Sequence, residues 1–209
     1  MSGDMDRYLQ SCRTEFWEEI FRWEVEYLLR HLEGRTDILS IGCGPGIIEG
    51  ELSERGFRVT GLDPSREALA LAPDGIGKVT GRAEDMPFPE SSFDAVIYVA
   101  SLQFIEDYGR AIERTARVLR PDGTLIVMLL NPKSAFFARK RREAASYVRT
   151  IRHVDVRDIE RVIAETFSVE TEYFLGVAGD AVFESCDPSE AALYVIRGVK
   201  RRGKRGRTQ

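Results

Sequence analysis

An α/β architecture is expected, with a mostly parallel sheet of about seven strands, helices on both of its faces and a covering helix at the N-terminus. Three features point to it. From Asp37 onward, short runs rich in β-branched residues alternate with helical segments, the pattern of parallel strands joined by crossover helices. Residues 124–130 are apolar almost throughout, as a strand covered on both faces must be. The segment ahead of the first strand repeats its apolar residues at helical rather than strand spacing. A chain of 209 residues suits one domain with additions.

Taken in order, residues 13–32 form a long helix with two apolar stripes. One runs Trp17, Phe21, Val25, Leu28, Leu32; the other runs Phe16, Ile20, Trp23, Tyr27. One stripe docks a helix on a sheet, so the second is expected to cover a substrate pocket or a partner subunit, such as a second copy in a homodimer. Residues 37–41 are a first strand, 47–55 a helix, 57–62 a second strand and 65–71 a helix that Pro73 closes. A third strand spans 76–80 and a fourth 93–99, followed by a helix over 107–119. Arg120-Pro121-Asp122-Gly123 is a turn, because proline pre-sets φ and glycine allows the reversal. Residues 124–130 are the fifth strand, 155–165 a helix, and 169–174 and 192–197 two closing strands. The organisation is therefore 1–34 as a covering region, 35–199 as the main domain with an insertion at 131–153, and 200–209 as a basic disordered tail.

Charge narrows the partners. The chain holds 30 Lys+Arg against 34 Asp+Glu, but the last thirteen residues carry seven basic groups and no acid. An acidic body with a short basic tail is not the charge pattern of a nucleic-acid-binding fold, so nucleic acid is not expected as a partner. No apolar run approaches the ~20 residues that span a bilayer, and the acidic start Met1-Ser2-Gly3-Asp4 is unlike a signal peptide. Cys12, Cys43 and Cys186 are too dispersed for a disulfide framework or a metal site. A cytoplasmic protein without a bound metal is the expectation.

The strongest chemical signal is Asp37-Ile-Leu-Ser-Ile-Gly42-Cys43-Gly44-Pro45-Gly46, a strand running into a glycine turn and then a helix. Glycines there let a ligand lie against the main chain, and the helix turns its free N–H groups toward it. Asp63 closes the second strand twenty-one residues after Gly42, where a carboxylate can accept both hydroxyls of a ribose. Together they indicate a nucleoside-bearing cofactor. The glycine spacing is G-x-G-x-G with Ile47 where a dinucleotide fold places its third glycine, which departs from NAD(P) or FAD binding.

In these residues the chain resembles the class I S-adenosylmethionine-dependent methyltransferases, specifically the type 11 group that includes quinone-biosynthesis methyltransferases. Four ordered pieces carry the resemblance: Ile41-Gly-Cys-Gly-Pro-Gly46, Gly61-Leu-Asp-Pro-Ser65, residues 81–94 and residues 116–125. The resemblance implies a Rossmann-like class I methyltransferase fold. It assigns Ser40, Gly42, Cys43, Gly44 and Gly46 to the methionine part of the cofactor, and Asp63, Pro64 and Ser65 to the ribose. Arg82, Ala83 and Glu84 fall to the adenine, and Tyr98, Val99 and Leu102 complete the expected contacts. Two positions depart from the family: Ser40 stands where an acid is common, and Phe104 where a histidine is common. Gln103, beside Phe104, can orient a polar group but takes no proton.

The acceptor is read mainly from what is missing. Tyr98-Val-Ala-Ser101 is not the Asn/Asp-Pro-Pro-aromatic motif of nucleobase or glutamine N-methylation, no cysteine is placed for pyrimidine chemistry, and Val99 and Leu130 are not metal ligands. A small molecule is left. The insertion carries Phe136, Phe137, Arg139-Lys140-Arg141-Arg142, Tyr147 and His153, which suits either a lid favouring an anionic or planar acceptor or a solvated helix face. Trp17, Gln103, Phe104 and His153 are the candidate acceptor contacts, and His31 is a helix-end cation. No catalytic residue is named, because a sulfonium donor needs chiefly in-line positioning. The alternatives are a catalytically silent S-adenosylmethionine-binding subunit and, against the glycine spacing, a nicotinamide oxidoreductase.

Overall fold

A computed structural model of the chain describes residues 14–144 and 146–201. Cys12 and the tail from Arg202 lie outside the described residues. The chain runs α1 (Glu15–His31), β1 (Asp37–Ile41), α2 (Ile47–Glu54), β2 (Arg58–Asp63), α3 (Arg66–Leu69), β3 (Gly77–Thr80) and β4 (Phe93–Val99). It continues through α4 (Tyr108–Val118), β5 (Leu119–Leu130), α5 (Ala135–Arg142), α6 (Val156–Thr166), β6 (Phe167–Ala178), β7 (Ala181–Phe183) and β8 (Ala191–Lys200).

All eight strands join one sheet in the order β3-β2-β1-β4-β5-β8-β6-β7. β1 to β5 pair in parallel, whereas β8 runs antiparallel to both β5 and β6. The eighth strand, not expected from the sequence, is β7, which returns on β6 in a short hairpin through Ala178 and Ala181. Three residues carry too little pattern to be read as a strand; β6 supplies the edge that makes them one. The predicted turn at Arg120-Pro121-Asp122-Gly123 lies inside β5 instead. Phe93 pairs with Leu119 and Ala95 with Thr124, so the extra residues bulge out, with Asp122 at φ 61°.

Two apolar cores sandwich the sheet. On one face Ile38, Ala95, Ile126, Met128 and Val195 pack under α1, α2 and α5. On the other Leu39, Val96, Tyr98, Val127 and Ile196 pack under α4 and α6. Alternation along each strand produces the division, and each fully buried aliphatic side chain contributes roughly 1.5–3 kcal/mol.

Both stripes of α1 are used within the chain. Val25, Leu28 and, just past the helix, Leu32 enter the core. Of the second stripe, Phe16 meets the Phe136 ring at 6.3 Å, Trp23 meets Phe174 at 6.3 Å, and Tyr27 meets Phe174 at 4.7 Å while donating to Glu172. The second stripe, expected to cover a substrate pocket or a partner subunit, packs in part on α5 and β6, and its Ile20 lines a cavity. Among the described residues no helix is long and apolar enough to cross a membrane.

Candidate active site

The strand order reverses direction between β1 and β4: the chain leaves β1 toward β2 and β3, then crosses back to β4 and β5. Ligands of open α/β sheets bind at such a point, beyond the carboxyl ends of the strands. Two cavities lie there, of about 320 Å³ and about 940 Å³, and Gly42 and Ala100 line both. Ala100 follows β4 with φ 47°, a left-handed conformation that turns the chain away from the sheet where the cavities meet.

The smaller cavity is lined by Asp63, Pro64, Arg82, Ala83 and Glu84, with Phe104 and Ile105 across from them. Asp63 Oδ2 accepts the Gly44 N–H at 2.9 Å and Oδ1 accepts the Ser65 N–H at 2.8 Å. The carboxylate is thereby fixed by the loops after β1 and β2, and each oxygen keeps a lone pair for a ligand. Glu84 is buried and paired with Arg82 at 2.8 Å. Its carbonyl accepts from Arg110 and Arg114 of α4, which anchors the short turn Ala83–Asp85.

The larger cavity begins at the glycine loop, with Gly42, Cys43 and Gly44 on one side and Trp17, Phe21, Phe136 and Tyr147 on the other. A Cβ on Gly44 would meet nothing within 4 Å, so the loop presents bare backbone to open space. Ser40, Glu49 and Glu24 also line it, all buried. Ser40 Oγ donates to Glu49 Oε1 at 2.5 Å, so the hydroxyl on β1 is joined to a carboxyl on α2. Burial pushes the Glu49 carboxyl up to about 7, with the Ser40 hydrogen bond opposing. Burial first and then the Glu49 charge push Glu24 up to about 8. The Cys43 thiol is raised by burial and by the Glu49 and Asp63 charges, which keeps it from being a thiolate nucleophile.

The structure brings together Ser40, Gly42, Cys43, Gly44 and Val99 around the larger cavity, and Asp63, Pro64 and Arg82 to Glu84 around the smaller. Other expected site residues are elsewhere. Tyr98 is fully buried on the opposite face of the sheet, its hydroxyl paired with Thr115 Oγ1 at 2.7 Å, because alternation along β4 turns it away from Val99. Leu102 packs in that same core. Gly46 starts α2 at φ 70°, and a Cβ there would press on Ala72 and Ile76 at 3.0 Å; it is a packing glycine. Ser65 caps α3 by accepting the Ala68 N–H.

The acceptor candidates divide in the same way. Trp17 lines the larger cavity, but Phe104 lines the smaller one. Gln103 is fully buried and clamps the end of β5, accepting the Leu130 N–H at 2.7 Å and donating to the Leu130 carbonyl at 3.1 Å. His153 points its Nε2 at the Ile105 carbonyl, 2.9 Å away, and lines neither cavity. Of the basic run, Lys140 reaches the larger cavity, whereas Arg141 and Arg142 face solvent and Arg139 donates to the Gly179 carbonyl. The sequence reading missed Glu24, Glu49 and Ala100. A signal for Glu24 was present: it falls seven residues after Trp17, inside an otherwise apolar stripe.

A glycine loop after β1, a carboxylate ending β2, and paired cavities at the reversal of the sheet define a nucleoside-cofactor domain of the methyltransferase class. Residues 39–127 match a family model described as a methyltransferase domain. The chain carries a class I S-adenosylmethionine-dependent methyltransferase domain of the type 11 group. It is 30% identical over 146 residues to the biotin biosynthesis bifunctional protein BioHC of Cellvibrio japonicus, covering 68% of this chain and 29% of that one. It is 35% identical over 125 residues to a ubiquinone biosynthesis O-methyltransferase of Alkalilimnicola ehrlichii, covering 54% of this chain and 50% of that one. The chain thus spans half or less of the length of these relatives. Among solved structures, a SAM-dependent methyltransferase of Thermotoga maritima shares the fold at TM-score 0.75 and 23% identity, over 96% of this chain and 100% of that one.

Proposed function

We propose that the chain transfers a methyl group from S-adenosylmethionine to a small-molecule acceptor. The observation that carries this reading is the meeting of the two cavities at Gly42 and Ala100, with Asp63 in one and the bare Gly44 backbone facing the other. The residues fit the cofactor: open space lies where a Cβ on Gly44 would stand, and a fixed carboxylate with free lone pairs faces the smaller cavity. When bound, S-adenosylmethionine supplies a methyl group activated by its sulfonium.

In this reading Asp63 accepts the ribose hydroxyls, and Arg82 to Glu84 border the base. Ser40 and Glu49 stand on the side of the methionine end, where the serine relays the position to a carboxyl on α2. Trp17, Phe136 and Tyr147 form an aromatic wall against which the acceptor is held, and the segment after β5 that carries Phe136, Lys140 and Tyr147 acts as its lid. Lys140 is the member of the basic run that borders the acceptor. Its Nζ is engaged by Glu143 at 3.0 Å and lies 5.7 Å over the Trp17 ring, so attraction of an anionic acceptor loses its support. The chain's contribution to rate is chiefly orientation of donor and acceptor in a largely apolar space.

Calorimetry with S-adenosylmethionine, S-adenosylhomocysteine and NAD tests the cofactor. Binding of the first two and not the third is expected, and the reverse selectivity would refute the assignment. A labelled-methyl screen across acceptors then separates an enzyme from a catalytically silent binding subunit, which would bind the donor without consuming it.

A further inference from the structure

Glu24 is 5% exposed, lines the larger cavity from α1, and accepts no hydrogen bond from any described residue. The neighbouring acids are all answered: Glu49 by Ser40, Asp63 by the Gly44 and Ser65 main chain, Glu84 by Arg82. No cation among the described residues acts on Glu24; the charge that does is the second carboxyl, Glu49. A buried carboxyl without a donor is costly unless a ligand brings one.

The surroundings specify the ligand. Phe21 and Trp17 stand one and two turns before Glu24 on α1, and Phe136 and Tyr147 complete an aromatic wall. Lys140, engaged by Glu143, and the exposed Arg149 also line the cavity, but Glu24 is the buried charged group among the aromatic faces, and that pairing favours an organic cation over an anion. Glu24 also lies outside residues 39–127, which carry the family's cofactor motifs, whereas Glu49 lies within them. We propose that the methyl acceptor is an arylalkyl amine whose ammonium group is held by Glu24, with its ring against the aromatic wall.

This inference rests on the methyl-transfer reading and names its substrate class. One proton passes from the ammonium nitrogen to a Glu24 carboxylate oxygen, which leaves the nitrogen lone pair free and neutralises both groups. A carboxyl raised toward the range of an amine is suited to that exchange.

The test is calorimetry on the parent protein saturated with S-adenosylhomocysteine, using 2-phenylethylamine, 2-phenylethanol and phenylacetate as probes. The amine is expected to bind about tenfold tighter than either isostere. Glu24→Gln should abolish that preference while moving S-adenosylhomocysteine affinity less than about twofold, since a neutral isostere removes the charge and keeps the shape. Equal binding of the three probes by the parent overturns the proposal without recourse to any variant, as does a preference that survives Glu24→Gln. A Glu24→Gln protein that binds S-adenosylhomocysteine poorly but methylthioadenosine normally assigns the carboxyl to the cofactor's amino-acid end, which also overturns it. If the parent binds no S-adenosylhomocysteine, the methyl-transfer reading fails by itself, and the amine arm is read on the free protein.

Discussion

Asp63 Oδ2 accepts the Gly44 N–H at 2.9 Å, which ties the loop after β1 to the end of β2 across nineteen residues of chain. The carboxylate that would hold the ribose is therefore also the brace of the glycine loop. Asp63→Ala is expected to do two things at once. Loss of a charged acceptor, at roughly 1.5–3 kcal/mol per hydrogen bond, should weaken S-adenosylhomocysteine binding by one to two orders of magnitude. The Gly44 and Ser65 amides lose their partner, so melting should fall as well. Calorimetry and thermal unfolding on the same sample separate the two, and an unchanged affinity would remove the ribose assignment.

Gly42 and Gly44 should behave differently although they are two residues apart. A Cβ on Gly42 would meet Ser101 Cβ at 2.6 Å, whereas one on Gly44 meets nothing. Both have positive φ, so each alanine costs about 1–2 kcal/mol of backbone strain. Gly42→Ala is expected to lose further stability from the clash. Gly44→Val should leave more of the fold intact while abolishing cofactor binding. Melting temperatures in the opposite order would contradict this account of the loop.

Burial raises the folded-state carboxyls of Glu24, to about 8, and Glu49, to about 7. Both exceed the ordinary value near 4.5, so the folded protein binds more protons than the unfolded chain between these limits. The contribution is present below the unfolded pKa and is lost as pH rises through the folded one. The ligand-free parent should therefore lose stability relative to Glu24→Gln between about pH 5 and pH 8, with no further divergence above it. Denaturant titrations across that range measure the gap; a gap that narrows toward pH 8 contradicts the assignment.

Gln103 is expected to be structural. Gln103→Leu strands the buried Leu130 N–H and removes donors from the Leu130 and His153 carbonyls, which should cost about 2–4 kcal/mol. Cofactor affinity in the fraction that remains folded should be unchanged. An affinity loss without destabilisation would return Gln103 to the site.

The fold was legible in the sequence because its signals are local. β1 and β4 occupy the predicted residues, since a β-branched run bounded by a turn needs no distant partner to be read. β7 was not legible, since three residues become a strand through pairing with β6. The 131–153 segment was expected to be an insertion carrying a basic, aromatic run. Its division into Lys140 at the cavity and Arg141 and Arg142 in solvent depends on where α5 docks, which no spacing in the chain records.

By itself the sequence determined the glycine turn and the carboxylate ending the second strand, and its four ordered motifs carried the resemblance to the methyltransferases. A positive φ and a strand-end acid are requirements of single residues, so residue type alone reveals them. Tertiary structure decided which neighbours face the ligand. Tyr98 and Val99 are adjacent, yet the pleat buries one against Thr115 and places the other at the cavity. Gln103 and His153 have suitable chemistry but spend it on main-chain partners around Leu130 and Ile105. Glu24 and Glu49 stand on separate helices and come to share one cavity because α1 packs across α2. A side chain's chemistry is written in the chain, whereas its partner and direction are set by packing between elements far apart in sequence.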